Sequence, residues 1–155
     1  MCSDAGFTQI DIDSEIHTSA LVITATKNSD LDYSARLEEE DVQAKLVNMS
    51  KFWSSALERT RQFESSLDAS SEIAIYGAGF YAAFITAALS EPARIKYYID
   101  QNPHLEGRMM NEKPIIHPKN FGSDVQSLFV GLNPDHARDI IKPLETLKGL
   151  KTFFL

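Results

Sequence analysis

The sequence predicts an α/β fold: a small parallel sheet with helices on both faces, preceded by a β-hairpin and a long amphipathic helix. Three observations predict it. From Ser71 onward, short apolar runs alternate with helical patterns, which implies parallel strands joined by crossovers. The run IAIYGAGFYAAFITAAL, Ile73 to Leu89, passes from a strand through a glycine turn into a small-residue helix. Ahead of it lie two β-rich segments and then an apolar stripe of helical period that no Pro or Gly interrupts.

The β-rich segments form the first piece, residues 1–27. FTQIDID alternates apolar and polar residues, with Phe7, Ile10 and Ile12 as its larger apolar members. SALVITATK carries Leu21, Val22 and Ile23. A short polar connection, Ser14 to Thr18, predicts that the two strands pair as a hairpin. Such a pair is marginal by itself and needs a further surface.

The second piece, 28–70, is a linker from Asn28 to Ser34 and then a helix over 36–67. LEEED puts acids in its first turns, where the helix dipole favours them. Val42, Leu46, Met49, Trp53, Ala56, Phe63 and Leu67 recur at heptad-like spacing, interrupted by Thr60 and widened by Phe52 and Leu57. The stripe packs on its own domain and on the hairpin, or part of it mediates a dimer.

The third piece, 71–155, starts after Asp68-Ala69-Ser70-Ser71. Strands are expected over 73–76, 95–99, 128–132 and 152–155, with a very short one over 114–116. Helices are expected over 79–90 and 134–148. Asn133 is a good cap and Pro134 suits the first turn, while Pro143 kinks or breaks the helix.

Gly77-Ala78-Gly79-Phe80-Tyr81-Ala82 fits G-x-G-x-x-G/A, the turn of a Rossmann-like sheet. Gly77 allows the tight turn, Gly79 lets backbone approach a phosphate, and Ala82 lets helix and strand pack closely. The helix start then offers unpaired N–H groups to an anion. RIKYYIDQNP is a strand ending in Asp100, 23 residues beyond Gly77. An acid at about this spacing, roughly 20 residues, bonds a ribose hydroxyl in dinucleotide-binding folds. Parallel strands bring both features, and Asn133, to one carboxyl edge. The candidate ligand contacts are therefore Gly77, Ala78, Gly79, Phe80, Tyr81, Asp100, Asn102 and Asn133, with Phe80 and Tyr81 able to stack on a base or sugar. The competing reading is structural: the turn serves strand-to-helix packing, Asp100 begins an Asp-Gln-Asn-Pro turn, and the aromatics pack on the sheet.

After Asp100, QNPHLEGRMMNEKPIIHP is turn-rich and has no helical period. A standard dinucleotide-binding unit places a crossover helix there. Only two further strands follow, so the second mononucleotide half is cut short. A full NAD site with hydride chemistry is disfavoured, and a small NAD(P)-binding oxidoreductase-like protein remains the second alternative.

At these residues the chain resembles a known family. IAIYGAGFYAAFITAAL, then YYIDQNPHLEGRMMNEKPIIHP, then SLFVGLNPDHA resemble the C-terminal Rossmann-like domain of sugar C-methyltransferases, which act on deoxysugars attached to nucleoside diphosphates. A related pattern occurs in the N-terminal domain of nucleotide-sugar acyltransferases, where the glycine turn and the acid contact a nucleotide sugar. AGFTQIDIDSEIHTSALVITATK resembles the closing strand pair of an S-adenosylmethionine-dependent methyltransferase domain. The resemblance implies the last third of such an enzyme. The early glycine-rich turn for S-adenosylmethionine, the zinc-binding cysteine region and the His/Tyr/Glu catalytic group cannot be placed. What it implies is a non-catalytic nucleotide- or nucleotide-sugar-binding module, not active alone. S-adenosylmethionine enters only if a catalytic body is supplied elsewhere. The first alternative is a structural or assembly domain that forms a homodimer or docks on a methyltransferase partner.

Composition bounds the remaining classes. The 155 residues are 43% hydrophobic and 24% charged, with a net charge of −7. That balance argues against nucleic acid or an anionic membrane as partner. No apolar stretch approaches the roughly 18 residues of a membrane span. MCSDAGFTQ lacks the basic and apolar regions of a secretory signal, so a cytoplasmic protein is expected. Cys2 is the only cysteine, which excludes an intrachain disulfide and disfavours a Cys-based metal site. His17, His104, His117 and His136 show no metal-ligand spacing, though His104 and His117 fall near the predicted site edge. No serine lies in a nucleophile-elbow pattern. No catalytic residue, metal ligand or resident cofactor is assigned.

Overall fold

A computed structural model describes residues 7–13, 22–27, 39–122 and 124–155. Cys2, His17, the predicted strand connection, the linker from Asn28 to Ser34 and the expected helix start at Arg36 lie outside them. The chain divides into two compact units, Met1–Asn48 and Met49–Leu155.

In the first unit, β1 (Phe7–Asp13) pairs antiparallel with β2 (Val22–Lys27), from Phe7 opposite Lys27 to Asp13 opposite Val22. The register shifts between Thr8 and Asp11, where Gln9 takes a φ of 50°. Thr8 Oγ1 donates to the Thr26 carbonyl at 3.3 Å, across the strands. Ile12 and Ile23 are exposed.

A helix, α1 (Glu39–Ser65), begins in the first unit and continues into the second. The second unit then holds β3 (Ile73–Tyr76), α2 (Phe80–Ala88), β4 (Ile95–Ile99), β5 (Met109–Met110), β6 (Lys113–Ile116), β7 (Ser127–Val130), α3 (Pro134–Ile141) and β8 (Lys151–Phe154). Its six-stranded sheet has the order β5-β6-β4-β3-β7-β8. All neighbours are parallel except β5, which is antiparallel to β6.

Strand alternation distributes the core. Ile73, Ile75, Phe129 and Phe153 cluster with Ala56 of α1 and Ala82 and Ile85 of α2. Ala74, Tyr76, Leu128 and Val130 cluster with Ala137 of α3 and with Leu147. Helices therefore cover both faces, as the alternation of apolar runs and helical patterns implies. β4 departs from simple alternation. Ile73 lies opposite Ile95 but Ala74 lies opposite Tyr97, so Lys96 is an extra residue. It pairs with Glu72 and, at 3.1 Å, with Asp124. Tyr97 and Tyr98 then enter opposite clusters.

The stripe on α1 differs from its expected form. Thr60 does not interrupt it: the residue is fully buried and its Oγ1 donates to the Ala56 carbonyl at 2.7 Å. Glu64 is also buried, and it accepts from the Ser90 and Glu91 amides at 2.8 and 3.0 Å. Arg61 Nε donates to the Ala88 carbonyl at 3.2 Å. One face of α1 thus fixes the exit of α2 and the approach to β4. Hydrogen bonds to charged groups contribute about 1.5–3 kcal/mol each. Leu46 and Met49 of the same stripe are exposed.

Other boundaries move for local reasons. α3 ends at Ile141, before Pro143, and a short 3-10 turn Glu145–Leu147 follows instead of a helix to Lys148. Asn133 caps α3, its Oδ1 accepting from the Asp135 amide at 3.1 Å. The segment after Asp100 has no α-helix. It folds as the β5–β6 hairpin, whose two turn residues, Asn111 and Glu112, both have positive φ. β7 begins and ends before the expected 128–132, because Gly131 and Leu132 belong to the turn beyond it.

One contact offers a direct test. A Cβ on Gly131 would lie 2.7 Å from both Cα and N of Ala82. Gly131→Ala is expected to destabilise the second unit by about 1–3 kcal/mol through overpacking, read as a lower urea midpoint. An unchanged midpoint would show that α2 shifts without cost.

Candidate functional site

The carboxyl edge of β3, β4 and β7 gathers most of the sequence-predicted residues. The Gly77 amide donates to the Ile99 carbonyl at 2.7 Å, and the Gly131 amide donates to the Tyr76 carbonyl at 2.8 Å. These bonds carry both strand ladders one step past the last strand residues. Gly77 has a φ of 94°, and an added Cβ would meet the Gly131 carbonyl oxygen at 2.6 Å. Glycine is required there by backbone conformation and by space.

Gly79 is different. It is the N-cap of α2 with a φ of −117°, and an added Cβ would meet nothing within 4 Å. Neither packing nor dihedral angle requires glycine at this position. Ser, Asn or Asp would cap the helix better. The first turn of α2 has no side-chain cap and no acidic residue. What Gly79 leaves is bare backbone at a helix start, the arrangement that accommodates an anion.

Asp100 sits beside this turn and is tied into it. Its Oδ2 accepts from the Ala78 amide at 2.9 Å and its Oδ1 from the Asn102 amide at 2.8 Å. A carboxylate offers about four lone-pair sites, so each oxygen retains acceptor capacity. Asn102 Oδ1 accepts from the His104 amide at 3.0 Å. Asn133 Oδ1 is committed to capping α3. Asp100 and Asn102 therefore build the Asp-Gln-Asn-Pro turn that the structural reading expects, while Asp100 also joins β4 to the glycine turn.

The aromatics divide. Tyr81 packs against the core shared by α1 and α2, with its ring 5.9 Å from Trp53. Phe80 is 70% exposed, and its ring edge meets Trp53 at 5.5 Å.

Tyr76, the last residue of β3, carries no role in the sequence-based site. Its hydroxyl is buried and makes no hydrogen bond. Burial, and then the charge of Asp100, push it up to about 12. A tyrosine ending an otherwise aliphatic strand is the one sequence signal for it. Tyr97 is also raised, by burial and by its hydrogen bond to Asp124. Asp124 is held below its usual value by Lys96 and then Tyr97.

Cavities open at both edges of the sheet. One of about 660 Å³ opens at the amino edge, between the end of α1 and the start of β8, with Ser71, Gln126 and Lys151 in its wall. Ligands of open parallel sheets bind at the carboxyl edge, so its size does not make it the site. Another, of about 510 Å³, lies at the carboxyl ends of β4 and β6 and is bordered by Gln101 and His117. Among the described residues no cluster of His, Cys, Asp or Glu is arranged to hold a metal, and no helix is long and apolar enough to cross a membrane.

No family model, curated protein or solved structure matches the chain.

The orphaned hydroxyl predicts an alkaline effect. Because the folded state holds the Tyr76 proton above its ordinary value of 10.0, stability is fully present below pH 10 and is lost as pH rises toward about 12. Tyr76→Phe removes an unpaired buried hydroxyl. It is expected to leave the melting temperature equal or higher at pH 8 and to reduce the fall between pH 10 and 12. An unchanged alkaline fall would assign the effect to other groups.

Proposed function

We propose that the carboxyl edge of this sheet binds a nucleotide or nucleotide sugar, and that the chain is a non-catalytic, Rossmann-like C-terminal module of a sugar C-methyltransferase-type enzyme. Gly79 carries the reading. The fold needs glycine at Gly77 and Gly131, whose added Cβ atoms would clash, but an added Cβ at Gly79 would point into open space. A glycine with no packing or conformational role, at an uncapped helix start, suits close approach by a phosphate.

Two features support the same reading. The strand order β6-β4-β3-β7-β8 runs outward in both directions from the β3/β7 pair, with α2 on one face and α3 on the other. Such a switch point is where open α/β sheets bind ligands. Asp100 lies next to it with acceptor capacity left for a ribose hydroxyl. Nucleotide binding is this unit's role, and the transfer chemistry belongs to a catalytic body elsewhere.

An assembly role is the second reading. Leu46, Val47, Met49 and Phe52 of α1 are exposed. Apolar residues at that density on one helix suit a homodimer or a methyltransferase partner. Sedimentation of a clean monomer at high concentration argues against it.

Ligand binding raises the melting temperature by mass action, about 2.7 kcal/mol of stabilisation at a hundredfold excess over Kd. Thermal shift with uridine and thymidine diphosphates is expected to show it in the wild type. Gly79→Ser supplies a better cap and fills the open space. It should match or exceed wild-type stability and lose the shift. No shift at millimolar ligand, or an equal shift in Gly79→Ser, sinks the proposal.

A further inference from the structure

The cavity at the carboxyl ends of β4 and β6, about 510 Å³, falls within the size range of small-molecule sites. It adjoins the candidate nucleotide edge: Gln101 in its wall follows Asp100, whose Oδ2 is bonded to the Ala78 amide of the glycine turn.

The polar groups of this cavity are mixed in kind. His117 Nδ1 accepts from the Lys119 amide at 3.2 Å. In the neutral ring the hydrogen is then on Nε2, which makes the imidazole a donor. Gln101 supplies an amide donor and an acceptor. Thr146 Oγ1 donates to the Pro118 carbonyl at 3.1 Å and so keeps lone pairs for a ligand. Lys119 and Glu145 stand on the rim, and Glu145 is already ion-paired with Lys148 at 2.6 Å. Leu144 adds an apolar wall. Interleaved donors and acceptors beside an apolar wall match a neutral ring with hydroxyls on its rim and C–H groups on its face.

We propose that this cavity holds the sugar of a nucleotide sugar, with His117 and Gln101 as the contacts that read it. The inference rests on the nucleotide reading of the glycine turn and adds a second subsite to it. The diphosphate lies at the turn, and the sugar extends past Asp100 toward His117.

Calorimetric titration tests it with four probes: uridine diphosphate, uridine diphosphate glucose, thymidine diphosphate and thymidine diphosphate rhamnose. In the wild type at least one nucleotide sugar is expected to bind about tenfold tighter than its diphosphate, the return on one or two good hydrogen bonds. His117→Asn keeps an oxygen acceptor for the Lys119 amide and deletes the Nε2 donor. Gln101→Ala alters an exposed side chain and carries the test if His117→Asn melts early. Each variant should lose the sugar margin and leave diphosphate affinity unchanged. Equal binding of sugar and diphosphate forms by the wild type overturns the sugar subsite and leaves the nucleotide reading standing. So does an equal loss for both forms in the variants. Binding of none of the probes overturns both.

Discussion

The close approach of three small residues, Gly77, Ala82 and Gly131, governs the second unit. A Cβ on Gly77 would sit 2.6 Å from the Gly131 carbonyl oxygen, and one on Gly131 would sit 2.7 Å from the Ala82 backbone. The turn after β3, the first turn of α2 and the turn after β7 are thus in backbone contact. Interiors packed to this density do not yield to an added methyl group without a shift. The contact sets where α2 starts, and α1 sets where it ends through Arg61 and Glu64. With both ends of α2 held, the carboxyl edge has a defined shape.

That edge mixes committed and uncommitted polar groups. Asp100 spends one acceptor of each oxygen on backbone, and Asn102 and Asn133 close turns or cap helices. The first turn of α2 has no side-chain cap, and the hydroxyl of Tyr76 has no partner. Buried polar groups usually find partners because an unmade bond costs about 1–3 kcal/mol. Across the rest of the sheet this holds. Tyr97 bonds Asp124, and Tyr98 bonds Thr86 and Asn111. The incompletely satisfied groups lie next to the turn read as a ligand site.

Residues with strong local chemistry were legible in the sequence. The apolar run Ile73 to Tyr76 indicated a strand of a sheet covered on both faces, and all four residues are buried. Asn133-Pro134 marked the start of α3, and Pro143 a kink or break near its end. The lack of helical period after Asp100 corresponds to a segment without an α-helix. Thr60 and Glu64 were not legible. A polar residue in an apolar stripe is an interruption until tertiary contacts supply its bond, and these come from the Ala56 carbonyl and the Ser90 and Glu91 amides. The extra residue in β4 was equally hidden, since pairing register is a property of two strands.

Sequence alone placed the main strands and helices, though not β5 or the end of α3, and showed that a glycine turn and an acid would share one sheet edge. Periodicity and turn chemistry are local, and parallel strands carry local features to a common edge. Only the tertiary structure separated the glycines. Gly77 is held by its φ and its neighbour, whereas Gly79 faces open space. It also brought Gln101 and His117 to one cavity. Steric demand and enclosure depend on atoms contributed by distant segments, and no single stretch of chain encodes them.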